Sequence, residues 1–195
     1  MEKLIVIGSG GHAASCIDVI ESTKKYKIIG LLCDKKKIGV KIQGYKIIGR
    51  LKDLKKFKKK SKNVFIAIGQ ISSPKVRIEI FNLCKKLKFS LPTIVSKSAI
   101  ISKYSKINEG TIIHHLAIIN ANSKIGKNCI INTKTLIEHD VVIGDNCHIS
   151  TNATINGSCI IANNTFVGSS VVISNNVSVI KKKFIKLGSA VKRSI

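Results

Sequence analysis

The chain has 195 residues, with 34 Lys and Arg against 10 Asp and Glu, six Cys, two Pro and no Trp. That length suits one large domain or two small ones, the 44% hydrophobic content excludes wholesale disorder, and no apolar run approaches the ~20 residues of a membrane-spanning helix. The net charge of +24 points first to a polyanion, but the basic residues lack the interleaved aromatics that stack nucleobases, so nucleic acid is not the expected partner.

From the N-terminus, Lys3-Leu-Ile-Val-Ile-Gly8 reads as a buried strand. It breaks at glycine too soon for a secretory signal, so a cytoplasmic protein is expected. Gly8-Ser-Gly10-Gly11-His12-Ala13 then turns into a helix with apolar residues at Ala13, Cys16, Ile17 and Ile20. A second strand is expected over 28–33, ending at Asp34. Helices are expected over 51–60 and 76–87, with a strand over 63–69 between them. Alternating strands and helices imply a small parallel, Rossmann-like sheet. Glycines after the first strand let a backbone approach phosphate at a helix N-terminus. Gly-x-Gly-Gly-His lacks the third glycine of the dinucleotide fingerprint, so NAD is not expected. Leu91-Pro92-Thr93 marks the boundary, giving domains 1–92 and 93–195.

Beyond it the chain repeats. From Ile101 to Val191, every sixth residue is Ile or Val. Four residues after each, from Ser105 to Ser189, stands Ser, Thr, Ala, Cys or Val at every position except Lys183. A period of six fits neither a helix nor a simple alternating strand. It fits a three-sided prism in which each hexad forms one face and three hexads make one coil. Coils stacked at ~4.8 Å place each residue above its counterpart three hexads earlier.

The charge is uneven. Residues 1–95 carry a net +16 and residues 96–195 a net +8, and from Asn128 to Ile180 the only basic residue is Lys134. The dense run from Lys52 to Lys62 reads as a solvated helix face. The cysteines at 16, 33, 84, 129, 147 and 159 have no C-x-x-C or zinc spacing and read as reduced, buried residues. Cys129 and Cys147 stack one coil apart, which reads as packing. His114 and His115 read as surface or interface residues.

Both halves together resemble the hexapeptide-repeat sugar O- and N-acetyltransferases of the sialic-acid O-acetyltransferase and UDP-4-amino-sugar N-acetyltransferase type. The matching stretches are Ile7-Gly-Ser-Gly-Gly-His-Ala13, Ile47-Ile-Gly49, Phe65-Ile-Ala-Ile-Gly69, Ser98-Ala-Ile-Ile101 and Ile131-Asn-Thr-Lys-Thr-Leu-Ile-Glu-His-Asp-Val-Val-Ile-Gly-Asp145. The resemblance implies a left-handed parallel β-helix after the α/β domain. It also implies a homotrimer with active sites between subunits, acetyl-CoA along the prism groove, a nucleotide-sugar on the N-terminal domain, and no metal.

His139 matches the family's general base. An imidazole suits this role because an attacking amine or hydroxyl must lose a proton as it meets the thioester. Asp140 or Glu138 would orient the ring, and the sequence leaves both open. The resemblance assigns His148, Gly157 and Gly168 to acetyl-CoA, with the Gly157 N–H meeting the thioester carbonyl. It assigns Gly10, Gly11, His12, Asp34, Gly69 and Asn132 to the sugar substrate. Gln70 stands where relatives often have Asn or Asp, and the usual C-terminal Gly-x-Pro-Ala is missing.

N-acetylation of a nucleotide-linked sugar is the expected activity, with O-acetylation of sialic acid or a related hydroxyl as the alternative. A non-catalytic sugar-nucleotide or nucleic-acid binding protein is the reading outside catalysis. A γ-carbonic-anhydrase-like metal site fails on spacing, because Gly144 occupies the fifth position after His139.

Overall fold

The computed structural model describes residues 1–180 and 182–195. The chain divides into two compact units. The first comprises residues 1–69 and 76–92, and the second residues 70–75 and 93–195. The short segment 70–75 therefore belongs with the C-terminal unit although it lies well before residue 93 in the chain.

The first unit is built on strands β1 (Glu2–Ile7), β2 (Tyr26–Leu32), β3 (Lys41–Ile42), β4 (Tyr45–Gly49) and β5 (Asn63–Ile66), in the order β3-β4-β2-β1-β5. Helices α1 (Gly11–Thr23) and α2 (Lys75–Lys86) complete the α/β pattern. The sheet is mixed rather than wholly parallel, because β3 runs antiparallel to β4. Their tight turn, Gln43-Gly44, has φ of +46° and +82°. Two successive positive φ values match the twist of a tight hairpin. Gln in the first of these positions conceals the turn from a search for Asn-Gly or Asp-Gly.

The helix expected over 51–60 is a 3₁₀ helix, Leu51–Lys59. Its apolar residues Leu51, Leu54 and Phe57 recur every third position, which is the 3₁₀ repeat and aligns them on one side. Only Leu54 is fully buried, and the lysines between face solvent. In α2, Arg77 is 1% exposed, and its Nη1 donates to the carbonyls of Ile66 at 2.9 Å and Ile68 at 2.7 Å. These bonds satisfy carbonyls at and just beyond the end of β5.

The second unit is a three-sided parallel β-helix. Short strands run from Ile94–Val95 to Ala190–Val191 and stack into three parallel sheets. Strands pair with their counterparts three hexads away, as in Ile118↔Leu136↔Thr154↔Val172. The every-sixth aliphatic column fills the interior, buried from Ile113 to Val191.

The small-residue column does more than fill corners. Thr111 Oγ1 donates to Gly126 O at 2.8 Å, Ser123 Oγ to Glu138 O at 2.6 Å and Thr135 Oγ1 to Ser150 O at 3.1 Å. Cys129, Cys147 and Cys159 make the same contact with Gly144 O, Ala162 O and Ser174 O at 3.0–3.1 Å. The cysteines are free and buried, and here they act as hydroxyl equivalents. Each corner also needs one left-handed residue. Positive φ recurs at every sixth position from Gly110 to Asn176, six times on Asn and once on Asp140. Short amide and carboxylate side chains tolerate that conformation best. His114 is wholly buried, which corrects its expected surface position, and the ring of half-buried His115 meets Ser96 Oγ at 2.6 Å.

The coil spacing leaves no room for a Cβ at Gly144, which would lie 2.7 Å from Asn163 N and 3.0 Å from its Cα. Gly144→Ala should therefore cost ~1–3 kcal/mol through overpacking against backbone. The measurement is the urea midpoint of the variant, and an unchanged midpoint would show that the coils can spread.

Candidate active site

His139 lies at a corner of the prism, between strands Leu136–Ile137 and Val142–Ile143 of two different sheets. The corner is held from both sides. Asp140 N donates to Ala121 O in the preceding coil at 2.9 Å, and Ser158 N in the following coil donates to His139 O at 3.0 Å. Asp140 is the left-handed residue, with φ +60°.

Its carboxylate turns back onto the ring, with His139 Nδ1 2.8 Å from Asp140 Oδ2. The other oxygen, Oδ1, accepts from Asn122 Nδ2 at 3.0 Å. The hydrogen bond from His139, with that from Asn122 after it, holds the Asp140 carboxyl below its ordinary range. An ionised carboxylate only accepts, so the proton stays on Nδ1 and Nε2 is left as an acceptor.

Glu138 is engaged elsewhere. Its Oε2 accepts from Asn120 Nδ2 at 2.9 Å. Of the two candidate carboxylates, Asp140 is the one in contact with the ring. The His139 and Asp140 side chains are 57% and 48% exposed, so the pair is open to a ligand.

Gly157 lies one coil beyond His139, as the hexad arithmetic predicts. A Cβ there would sit 2.7 Å from His139 Cε1 and 2.8 Å from Nε2. The absent side chain makes room for the imidazole. At Gly168 a Cβ would meet Leu187 N at 2.5 Å, so the coil spacing requires glycine there.

His148 stands on another face, in the strand His148–Ile149 of the third sheet, and is 6% exposed. Its Nδ1 donates to the backbone carbonyl of Gln70, which leaves Nε2 as an acceptor, 3.5 Å from Asn132 Nδ2. The ring packs edge-on against Phe166 at 5.2 Å. Gln70 is itself buried and donates from Nε2 to Asn146 O at 2.8 Å. Asn132 and His148 are thus brought together, whereas His139 and His148 occupy different parts of the prism within one chain.

In the first unit, Gly8 is required where it is. Its φ is +129°, and a Cβ would meet Ala67 O at 2.4 Å. Gly10 caps α1, and a Cβ at Gly10 or Gly11 would meet nothing within 4 Å. His12 Nε2 lies 3.3 Å from Cys16 Sγ, and a Cβ on Gly69 would contact the His12 Cβ at 3.5 Å. Burial pushes the Cys16 thiol up to about 12, so it remains neutral. Asp34 Oδ1 accepts from Leu51 N at 3.0 Å and so caps the 3₁₀ helix. Arg50 Nη1 donates to the carbonyls of Cys33, Asp34 and Lys36, pinning the same loop. Asp34, Arg50, Leu51, Lys52 and Leu83 line an open depression.

Sequence reasoning passed over Asn120, Asn122 and Phe166. Each lies one coil from a residue it did select, so the hexad arithmetic carried the signal.

The profile of the PglD N-terminal domain matches residues 3–83. The profile of the bacterial transferase hexapeptide, six repeats, matches residues 122–157 and 140–175. The first match falls on the N-terminal part of the chain and the second within the repeats of the β-helix. No curated protein sequence matches it significantly.

Among solved structures, it is similar to the acetyltransferase domain of PglB from Neisseria gonorrhoeae, with 24% identity, a TM-score of 0.89 and coverage of 100% of this chain and 93% of that one. PglB was also solved with acetyl coenzyme A, at 24% identity, a TM-score of 0.85 and coverage of 97% and 95%. PerB from Caulobacter crescentus, in complex with CoA and GDP-perosamine, has 22% identity, a TM-score of 0.74 and coverage of 100% and 91%. At these identities the likeness establishes the fold, a small mixed-sheet domain followed in the chain by a left-handed parallel β-helix. No helix among the described residues is long and apolar enough to cross a membrane.

Gly157→Ala should force the clash onto the exposed imidazole, the movable partner. The expected result is a His139 ring rotated away from Asp140 in a crystal structure of the variant, with the coils unshifted.

Proposed function

We propose that the protein transfers an acetyl group from acetyl-CoA to the amino group of a nucleotide-linked sugar, with His139 as general base. The observation that carries this reading is the His139–Asp140 pair, whose geometry leaves Nε2 as an acceptor beside Gly157. It is supported by the hexapeptide-transferase repeats and by relatives of the same fold described as acetyltransferases with acetyl-CoA, CoA or GDP-perosamine bound. A histidine-to-asparagine variant of the Caulobacter crescentus perosamine N-acetyltransferase has been solved with CoA and GDP-perosamine.

In this reading the sugar amine attacks the thioester carbon and passes its proton to His139 Nε2. Asp140 holds the ring's tautomer and stabilises the imidazolium. The imidazolium then returns the proton to the departing thiolate. The Gly157 N–H donates to the carbonyl oxygen as charge develops on it, an effect of ~3 kcal/mol in comparable sites.

The nucleotide-sugar is assigned to the first unit, where Gly10 and Gly11 leave open space at the N-terminus of α1 and Asp34 borders the depression. His148 and Asn132, on a different face from His139, contribute from a neighbouring copy in a homotrimer. Surplus lysines favour the phosphates of both substrates, and a cytoplasmic location suits both.

Thiol release from acetyl-CoA should be measured against UDP-, GDP- and dTDP-amino sugars and sialic acid. Transfer to an amino sugar is expected, and activity only with sialic acid would redirect the assignment to O-acetylation. His139→Ala should lower turnover at least ~100-fold with the fold intact, and near-normal turnover would refute its role as base. Asp140→Asn should impair turnover far more than Glu138→Gln, and the reverse order would reassign the orienting carboxylate.

A further inference from the structure

The column through His139 and Gly157 continues one coil further to Asn175. Gly157 leaves a notch in this column. From one side the His139 imidazole leans in, with Nε2 2.8 Å from the point a Cβ would occupy. From the other side Asn175 brings its Nδ2 to 3.3 Å from that point. The three corners are tied by backbone, with Ser158 N donating to His139 O and Asn176 N to Gly157 O, both at 3.0 Å. The convergence is therefore fixed by the coil register.

Corner geometry does not explain an asparagine at 175. The left-handed residue of that corner is Asn176, with φ +61°. Other corners place Lys127, Thr133, Asp145 or Ser169 at the position equivalent to 175. Asn163, at the same position of another corner, turns its Oδ1 onto Asp145 N at 2.7 Å. Asn175 is also exposed, so the core does not require it.

We propose that Asn175 is a further catalytic residue, whose side-chain N–H donates to the carbonyl oxygen of the acyl donor while His139 Nε2 takes the proton of the acceptor. This rests on the acetyltransferase reading above. As the acceptor nitrogen bonds to the thioester carbon, the carbonyl π pair moves onto oxygen and the amine proton moves to Nε2. As the C–S bond breaks, that pair returns to the carbonyl and the sulfur leaves with its own pair, taking the proton from the imidazolium. The oxygen carries charge only between these events. A neutral amide held in place beforehand strengthens its bond to the oxygen at that moment and loses little to reorganisation. Base and donor approach Gly157 from opposite coils, so acceptor proton and donor oxygen are each met by a separate group.

The test combines steady-state kinetics with equilibrium binding of acetyl-CoA and of CoA. Asn175→Ala should lower kcat on the order of 100-fold, leave the KM for the sugar unchanged, and weaken acetyl-CoA without weakening CoA. Asn175→Asp has nearly the same shape but no donor, and should lose at least as much. It also carries the test if the alanine variant fails to fold. Asn175→Gln should recover part of the rate. Wild-type kcat with an unchanged acetyl-CoA preference in Asn175→Ala and Asn175→Asp overturns the proposal while leaving the acetyltransferase reading standing. A wild-type protein that binds no acetyl-CoA overturns both.

Discussion

Coil registry governs this molecule. The parallel strands of the prism are too short to stand alone, and each is held by the strand one coil before it and the strand one coil after. The hydrophobic column supplies the driving force, but it would tolerate sliding along the prism axis. What prevents sliding is polar. Hydroxyl and thiol groups of Thr111, Ser123, Thr135, Cys129, Cys147 and Cys159 each reach a carbonyl of the next coil. A shift of a single position would strand all these groups in the interior without partners, and each buried orphan costs ~1–3 kcal/mol. The ladder therefore specifies register more than it adds stability.

The same registry delivers the side chains of the candidate site. Glu138 and Asp140 flank one imidazole, and in isolation either could reach it. The coil below settles the competition, because Asn120 takes Glu138 and Asn122 takes Asp140 at its far oxygen. Asp140 keeps one oxygen for His139, and its left-handed backbone turns that oxygen towards Nδ1. The amide ladder is thus both a structural element and the means by which two carboxylates acquire different tasks.

The β-helix was legible because its period of six survives from Ile101 to Val191 and has no competing explanation. The columns through His139–Gly157 and Cys129–Cys147 followed from arithmetic alone. The N-terminal unit was harder to read. Its every-third apolar spacing at Leu51, Leu54 and Phe57 resembles a short α-helical stripe until the turn is seen to be tighter. The Gln43-Gly44 hairpin depends on a backbone conformation that Gln adopts only under tertiary constraint. Arg77 lies in the helix expected over 76–87, and no local pattern marks it as buried against the carbonyls of Ile66 and Ile68. Gln70 could not be placed from sequence, because its partners Asn146 and His148 lie far along the chain, beyond the reach of any local pattern.

Face and corner impose different chemistry on the two histidines. A residue on a flat face has strand neighbours at ~4.8 Å above and below, so His148 is enclosed between Ile130 and Phe166 in its sheet. Its Nδ1 proton is spent on a main-chain carbonyl, and that contact cannot supply a negative charge to stabilise an imidazolium. At a corner the side chain projects outward, and the left-handed residue beside it can bring back a full carboxylate. His139 combines an exposed side chain with a carboxylate on Nδ1. An enclosed imidazole is suited to hold fixed hydrogen bonds, whereas an open one paired to a carboxylate is suited to cycle a proton. The difference in exposure and partner between the two rings follows from where the prism bends.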